Sequence, residues 1–222
     1  TGLKLWSNRM LKLYDYWRSS AAYRVRIALN LKNASYDSVP VNIAPGKDEQ
    51  FAESYQHLNP QMRVPSIEQD GHVSGQSLAI IEWLSESLPG PSLLPEDAWT
   101  RLQSRAFADT IACDIHPLNN LSVLATLRKD FGADEAAVTR WYHDWIRRGF
   151  EALERIAQDL PPAALLFGDT PTIAEICLVP QVSNARRFDM DLSDFPRLQE
   201  VDAACRLIDA FARAAPEAQQ KA

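Results

Sequence analysis

Leu11-Lys12-Leu13-Tyr14-Asp15-Tyr16-Trp17-Arg18-Ser19-Ser20-Ala21-Ala22-Tyr23-Arg24-Val25-Arg26-Ile27-Ala28-Leu29 reads as a strand handing over to a helix. Leu11 to Tyr16 alternate with period two, and Val25, Ala28 and Leu29 recur at helical spacing among Ala, Leu and Arg. Ser20 is the expected N-cap, with Ser19 just outside the first turn. A helix start carries unpaired N–H groups and roughly half a positive charge, so the junction suits a thiolate or a carboxylate. The alternative is that both serines do no more than cap the helix.

Working outward, Asn33 is a left-handed terminator for this helix, and Val39, Val41 and Ile43 alternate as a second strand. Strand, helix and strand in so short a span imply a parallel crossover. Residues 47–58 read as a short polar helix ended by Asn59-Pro60. Val64 to Glu68 reads as a strand, Asp70-Gly71 as a hairpin turn and His72 to Ser74 as its partner. Gln76-Ser77 opens a helix over 78–87, with Ser77 as N-cap and Ile80, Ile81 and Leu84 buried. The order βαβαββα suits a thioredoxin-like domain.

Pro89-Gly90-Pro91 and Pro95-Glu96-Asp97 form the break between domains. Residues 1–9 are expected to be an extension outside the fold, 10–88 the thioredoxin-like domain, 89–97 a linker and 98–222 an all-α domain. In the latter, Trp141, Trp145, Gly149, Leu153 and Ile156 form one apolar stripe, and Leu198, Val201, Cys205, Ile208 and Phe211 another. Thr172-x-x-Glu175 is a capping box. The fold class is therefore α/β followed by a helical bundle.

The chain has 222 residues, 46% hydrophobic, with a formal charge of −6 and no block of Lys or Arg. That balance argues against a nucleic-acid surface and requires any small anion to be met by local cations. No apolar run approaches the roughly 18 residues that span a bilayer, and no segment resembles a signal peptide, so the expected location is the cytoplasm. Cys113, Cys177 and Cys205 are too scattered for disulfides or zinc and read as core residues; the four histidines show no metal-ligand spacing, so no metal is expected.

A thioredoxin-like junction invites a Cys-x-x-Cys pair, but Ser19-Ser20-Ala21-Ala22 stands there. Thiol chemistry at this place needs a sulfur from a bound cosubstrate, for which glutathione is the candidate. Here residues 11 to about 213 resemble the zeta-class glutathione transferases, which include maleylacetoacetate isomerase and its maleylpyruvate-isomerising relatives. The resemblance rests on Ser-Ser-x-x-x-Arg-Val-Arg-Ile-Ala-Leu at 19–29, Asn59-Pro60, Val64-Pro65, the segment Gln76 to Glu82, the segment Asp114 to Leu121 and Val179-Pro180-Gln181-Val182. It implies the glutathione transferase fold and a homodimer.

Position by position, the resemblance makes Ser19 the hydroxyl facing the glutathione sulfur, with Ser20 its neighbour. Val64, before a cis Pro65, offers its backbone to the cysteinyl unit, and Gln76 and Ser77 hold the γ-glutamyl carboxylate. Gln50, His116, Asn120 and Ser122 line the pocket. Arg18 and Arg187 meet the carboxylates of a small dicarboxylate, a task that bidentate guanidinium contacts suit; Arg186 is the lesser partner, and Arg24 and Arg26 are structural. His116 positions substrate or relays a proton, or is a satisfied buried histidine, and Pro117 kinks its helix. Eukaryotic members usually carry Cys after the serine pair; Ala21 here removes that residue from the chemistry.

The implied reaction is cis–trans isomerisation of maleylacetoacetate in aromatic amino acid catabolism, by thiolate addition, rotation about the resulting single bond and expulsion of the thiolate. The alternatives are maleylpyruvate isomerisation, a general transferase or α-halo acid dehalogenase, and a partner-binding protein without catalysis.

Overall fold

The computed structural model describes residues 10–219, so the extension expected at 1–9 lies outside the described residues. The described residues up to Pro91, joined by those from Arg213 onward, make one compact unit, and Ser92–Ala212 make the other.

The first unit is a four-stranded sheet in the order β2-β1-β3-β4. Strand β1 (Leu11–Asp15) feeds α1 (Ser20–Leu31), which returns to β2 (Tyr36–Pro40); a 3₁₀ turn, Glu49–Phe51, and α2 (Glu53–Leu58) lead to β3 (Ser66–Gln69), β4 (His72–Gly75) and α3 (Ser77–Ser87). β1 runs parallel to β2 and antiparallel to β3, and β3 pairs antiparallel with β4. The thioredoxin-like order expected from the sequence is the order found. Asn33 closes α1 at φ 50°, and Asp70-Gly71 turns the hairpin at φ 54° and 83°.

The second strand lies earlier than Val39, Val41 and Ile43 suggested. β2 is the edge strand and only partly buried, so apolar alternation is not its signature; its register, Leu11↔Tyr36 to Asp15↔Pro40, follows β1.

Two buried cations tie this unit together. Arg26 donates from Nη1 to both Asp15 carboxylate oxygens at 2.6 and 2.8 Å, from Nη2 to the Trp17 carbonyl at 3.1 Å and from Nε to the Ala214 carbonyl at 3.0 Å. Residues 213–219, placed in the helical domain by the sequence, therefore group with the thioredoxin-like unit. Lys32 donates to the carbonyls of Ser85, Gly90 and Pro91, joining the end of α1 to the end of α3, and burial lowers its pKa.

The second unit contains α4 (Ala98–Asp109), a π-helical turn (Thr110–Ile115), a 3₁₀ turn (His116–Asn119), α5 (Leu121–Phe131), α6 (Glu135–Asp159), α7 (Ile173–Arg187) and α8 (Pro196–Arg206). Asp209–Ala214 and Pro216–Gln219 follow as α9 and α10. Pro117 is the second residue of the 3₁₀ turn that follows the π turn, so the expected kink is a change of helix type.

The apolar stripe of α6 lies one residue over from the expected one: Val138, Tyr142, Ile146, Phe150, Leu153 and Ala157 are buried, Trp141 and Trp145 half-buried, and Ile156 exposed. Gly149 belongs to the packing for another reason, since a Cβ there would come within 2.2 Å of Ile115 Cδ1. The capping box at Thr172 and Glu175 forms as read, with Glu175 also accepting from Leu166 N. Cys177 and Cys205 are core residues, whereas Cys113, on the π turn, is exposed.

Arg26→Met leaves Asp15 buried without its cation; urea denaturation should show a loss of about 3–5 kcal/mol. A loss below about 1 kcal/mol would contradict the role given to this pair.

Candidate functional site

The register of the sheet brings three connections to one edge. Tyr14 pairs with Ser66, and Ser66 with Gly75, so the end of β1, the start of β3 and the end of β4 lie together. The chain leaving or entering there is Tyr16 to Ser19, Arg63 to Pro65, and Gln76, and two of these segments open helices.

At the first helix the cap is Ser19, not Ser20. Ser19 is extended (φ −69°, ψ 119°), its Oγ accepts from Ala22 N at 3.2 Å and its N–H donates to Tyr16 O at 2.8 Å, which makes Ser20 the first helical residue. A hydroxyl used as acceptor keeps its proton to donate, and that polarity suits an anion placed at the helix start. On β1 the Tyr14 hydroxyl donates to Glu68 Oε2 at 2.7 Å; burial first and then that carboxylate push its pKa up to about 12.

At the second helix the cap is Gln76, not Ser77. Ser77 is buried and its Oγ accepts from Arg24 Nη1 at 3.3 Å, so the hydroxyl expected to cap α3 serves instead to hold it to α1. Arg24, read as structural, thus brings a guanidinium to the N-terminus of α3. Gln76 has φ 67° and donates from Nε2 to Gln61 Oε1 at 2.9 Å. Asn33, Asp48, Asp70 and Asp189 also have positive φ, as their side chains tolerate; Met62 and Gln76 do not belong to that class, and both flank this sheet edge. Unfavourable backbone persists only where the surrounding structure over-determines it.

Val64-Pro65 is a cis peptide, as expected, and both residues are buried. Asn59 and Tyr55 hold the turn before it. Asn59 Nδ2 donates to Arg63 O at 2.8 Å and Ser66 Oγ at 3.0 Å, and the Tyr55 hydroxyl donates to Arg63 O at 2.7 Å and lies 3.1 Å from Ser66 Oγ. In the sequence Asn59-Pro60 reads as a helix end and as one motif of the resemblance; that the Asn also bonds forward to a strand is not a local signal. Gln50, on the 3₁₀ turn, is buried, and its Oε1 meets no donor among the described residues. Arg18 is exposed, with its guanidinium 5.3 Å from the Trp17 ring centroid.

In the second unit, Asn120 caps α5. Its Oδ1 accepts from Val123 N at 3.1 Å and from Ser122 Oγ at 2.6 Å, and its Nδ2 donates to Pro117 O at 2.7 Å. His116 is half-buried at the start of the 3₁₀ turn. Arg187 is the last residue of α7; it donates to Asn184 Oδ1 and stacks over Phe188. Arg186 beside it is ion-paired with the buried Asp202. Among the described residues no group of three or more His, Cys, Asp and Glu side chains is placed to hold a metal.

Residues 13–92 match the glutathione S-transferase N-terminal domain and residues 135–201 the glutathione S-transferase C-terminal domain. A maleylpyruvate isomerase of Ralstonia sp is 50% identical over 94% of this chain and 98% of its own. The holo structure of a maleylpyruvate isomerase, described as a bacterial zeta-class glutathione S-transferase, superposes with a TM-score of 0.92 at 50% identity, covering 95% of this chain and 99% of that one. A maleylacetoacetate isomerase of Methylobacterium extorquens AM1 with bound malonate and GSH gives a TM-score of 0.91 at 33% identity, covering 95% and 99%.

Asn59→Ala leaves the Arg63 carbonyl and Ser66 hydroxyl short of a donor. Calorimetric titration with glutathione should show binding weakened about tenfold, with a stability loss of about 1–3 kcal/mol in urea. Unchanged affinity would separate this turn from the ligand site.

Proposed function

The chain belongs to the glutathione S-transferase family, in its zeta class, and from that membership we propose that it is a glutathione-dependent cis–trans isomerase of maleylacetoacetate. The observation that carries the proposal is the Ser19 cap, whose Oγ takes the Ala22 N–H and keeps a proton for an anion at the start of α1.

The residues present fit glutathione. Two adjacent helix N-termini suit a thiolate and a carboxylate, the guanidinium of Arg24 stands beside Ser77, and the buried acceptor of Gln50 suits an N–H of the tripeptide. When bound, glutathione supplies a thiolate that adds to the cis double bond and is expelled after rotation, so none is consumed. Ser19 donates to the sulfur and Gln76 with the α3 N-terminus receives the γ-glutamyl carboxylate. Val64 pairs through its backbone with the cysteinyl unit, whose extended chain suits the turn before β3. Arg18 and Arg187 receive the substrate carboxylates, and His116, Asn120 and Ser122 complete the roles that the resemblance assigns.

Is one hydroxyl enough? Lowering a thiol of pKa about 8.5 by two units needs about 2.7 kcal/mol. A hydrogen bond to a charged group contributes about 1.5–3 kcal/mol and a helix terminus about 0.3–1. The sum suffices without a general base, and no cysteine of this chain stands in the loop.

The same reading assigns the protein to aromatic amino acid catabolism in the cytoplasm, as a homodimer. Among the described residues no helix is long and apolar enough to cross a membrane. Trp99 and Leu102, 67% and 52% exposed one turn apart on α4, are apolar surface of the kind subunit contacts cover. Maleylpyruvate is the second reading, favoured by the 50% identity with the Ralstonia sp protein.

Purified protein supplied with maleylacetoacetate and a catalytic amount of glutathione should yield the trans product with the thiol content unchanged. Turnover of maleylpyruvate alone would establish the second reading, and stoichiometric loss of thiol a transferase. Ser19→Ala should raise the pKa of bound glutathione by one to two units in an ultraviolet thiolate titration: the thiolate is present in wild type above its depressed pKa, and in the variant only at higher pH. An unmoved titration would defeat the assignment of Ser19.

A further inference from the structure

The C-terminal end of α7 holds one exposed arginine with more care than a solvated cation requires. Arg187 donates to Asn184 Oδ1, one turn back on the same helix. Its Cζ lies 5.3 Å from the centroid of the Phe188 ring. Phe188 is in turn stacked on the ring of Tyr142 from α6, with centroids 3.8 Å apart and 22° between planes. The Phe188 carbonyl lies 2.7 Å from Nε2 of His143, also on α6. Tyr142 is 1% exposed and Asn184 6%. The Tyr142 hydroxyl is sealed from solvent and makes no hydrogen bond among the described residues; the groups that act on it electrostatically are Arg187 and Asn184.

Packing between α6 and α7 does not call for this arrangement. A phenylalanine at 142 would bury the same ring and stack the same way, and a sealed hydroxyl is a liability unless it meets a polar partner. Burial keeps the phenol protonated far above neutral pH, with its pKa up to about 12, opposed by Arg187 and Asn184. The hydroxyl is thus a neutral buried dipole within the electrostatic reach of the Arg187 guanidinium. The adjacent Arg186 is ion-paired with Asp202 of α8.

The chemistry of the arginine explains what such a setting provides. A free arginine side chain loses much rotamer freedom when it is ordered. Stacking on Phe188 engages the face of the guanidinium and consumes none of its five N–H donors. Asn184 fixes its rotation, and a planar fork held in one orientation is the geometry that meets a carboxylate bidentately. Ordering the fork before the ligand arrives removes that entropy loss from binding.

We propose that Tyr142 and Asn184 are positioning residues that hold the Arg187 guanidinium preorganised as the receptor for a carboxylate of the substrate. The proposal rests on the reading of Arg187 as a substrate-binding cation.

The test is a pair of double-mutant cycles on the full chain, with maleylacetoacetate and maleylpyruvate as substrates and thermal unfolding as the control for folding. Tyr142→Phe keeps the ring, and Asn184→Ala offers a second, independent route. Each should raise the KM for the dicarboxylate about five- to tenfold while the KM for glutathione and the thiolate titration stay at wild-type values. In an Arg187→Ala background neither should have a further effect. Equal losses with and without Arg187, or no loss in the wild-type background, would overturn the positioning role. Arg187→Ala with unaltered kinetics would overturn the reading of the arginine itself, a result visible in that single variant and distinct from the other two.

Discussion

Arg26 enters the core of the first unit with its side chain fully buried, a position a cation holds only when its donors are met. Asp15 takes two bonds from Nη1, the Trp17 carbonyl one from Nη2 and the Ala214 carbonyl one from Nε. Those partners are the last residue of β1, the loop that follows it and the segment from Arg213 onward. One guanidinium therefore decides where β1 ends, how the chain turns toward Ser19 and why the C-terminal segment belongs to this unit. A hydrophobic replacement of the whole set could match its stability, since buried ion pairs gain little net free energy. What the set contributes is direction: the carbonyl two residues before Ser19 has one place to be.

The candidate anion site is built on that direction. With the Tyr16 to Ser19 turn fixed, the first helix starts at a defined point of the sheet edge, and Arg24 on the same helix brings the N-terminus of α3 to it through Ser77. The buried face of α1 thus carries two arginines with different tasks, one ordering the loop and the other joining two helix starts. Helix termini supply partial charges that need no titratable group, so the site can prefer an anion while the chain as a whole carries a formal charge of −6.

The sequence made legible whatever is decided locally: the β1–α1 junction, the Asp70-Gly71 hairpin, the capping box at Thr172 and Glu175, and the Leu198 to Phe211 stripe. It misplaced what is decided at a distance. Ser19 and Ser20 are equivalent as caps by type, and only the Ser19 N–H to Tyr16 O bond selects between them. Ser77 looked like a cap because hydroxyls usually are, but a guanidinium from another helix takes its oxygen. On α6 two apolar stripes run side by side, and the one holding both tryptophans is only half-buried, whereas Val138, Tyr142, Ile146 and Phe150 are buried. Arg24, Arg26, Asn59 and Tyr142 share one difficulty, which is that a polar residue on an apolar face announces a partner without naming it.

The chemistry explains why the cations must be fixed as well as present. A substrate with two carboxylates has to approach a thiolate, and a unit pair of like charges about 4 Å apart costs about 4 kcal/mol at an effective dielectric of 20. An acidic protein offers no broad field to offset that repulsion, so it falls to individual guanidiniums. A mobile arginine would offset less, because ordering it at the moment of binding removes part of what the contact provides. On the proposed reading Arg187, bonded to Asn184 and stacked on Phe188, which itself stacks on Tyr142, meets that requirement, as the ordered Ser19 turn does for the sulfur. In both places a rigid frame of ordinary packing carries a small polar group whose orientation is settled before any ligand arrives, and the rate advantage of preorganised electrostatics follows from that order.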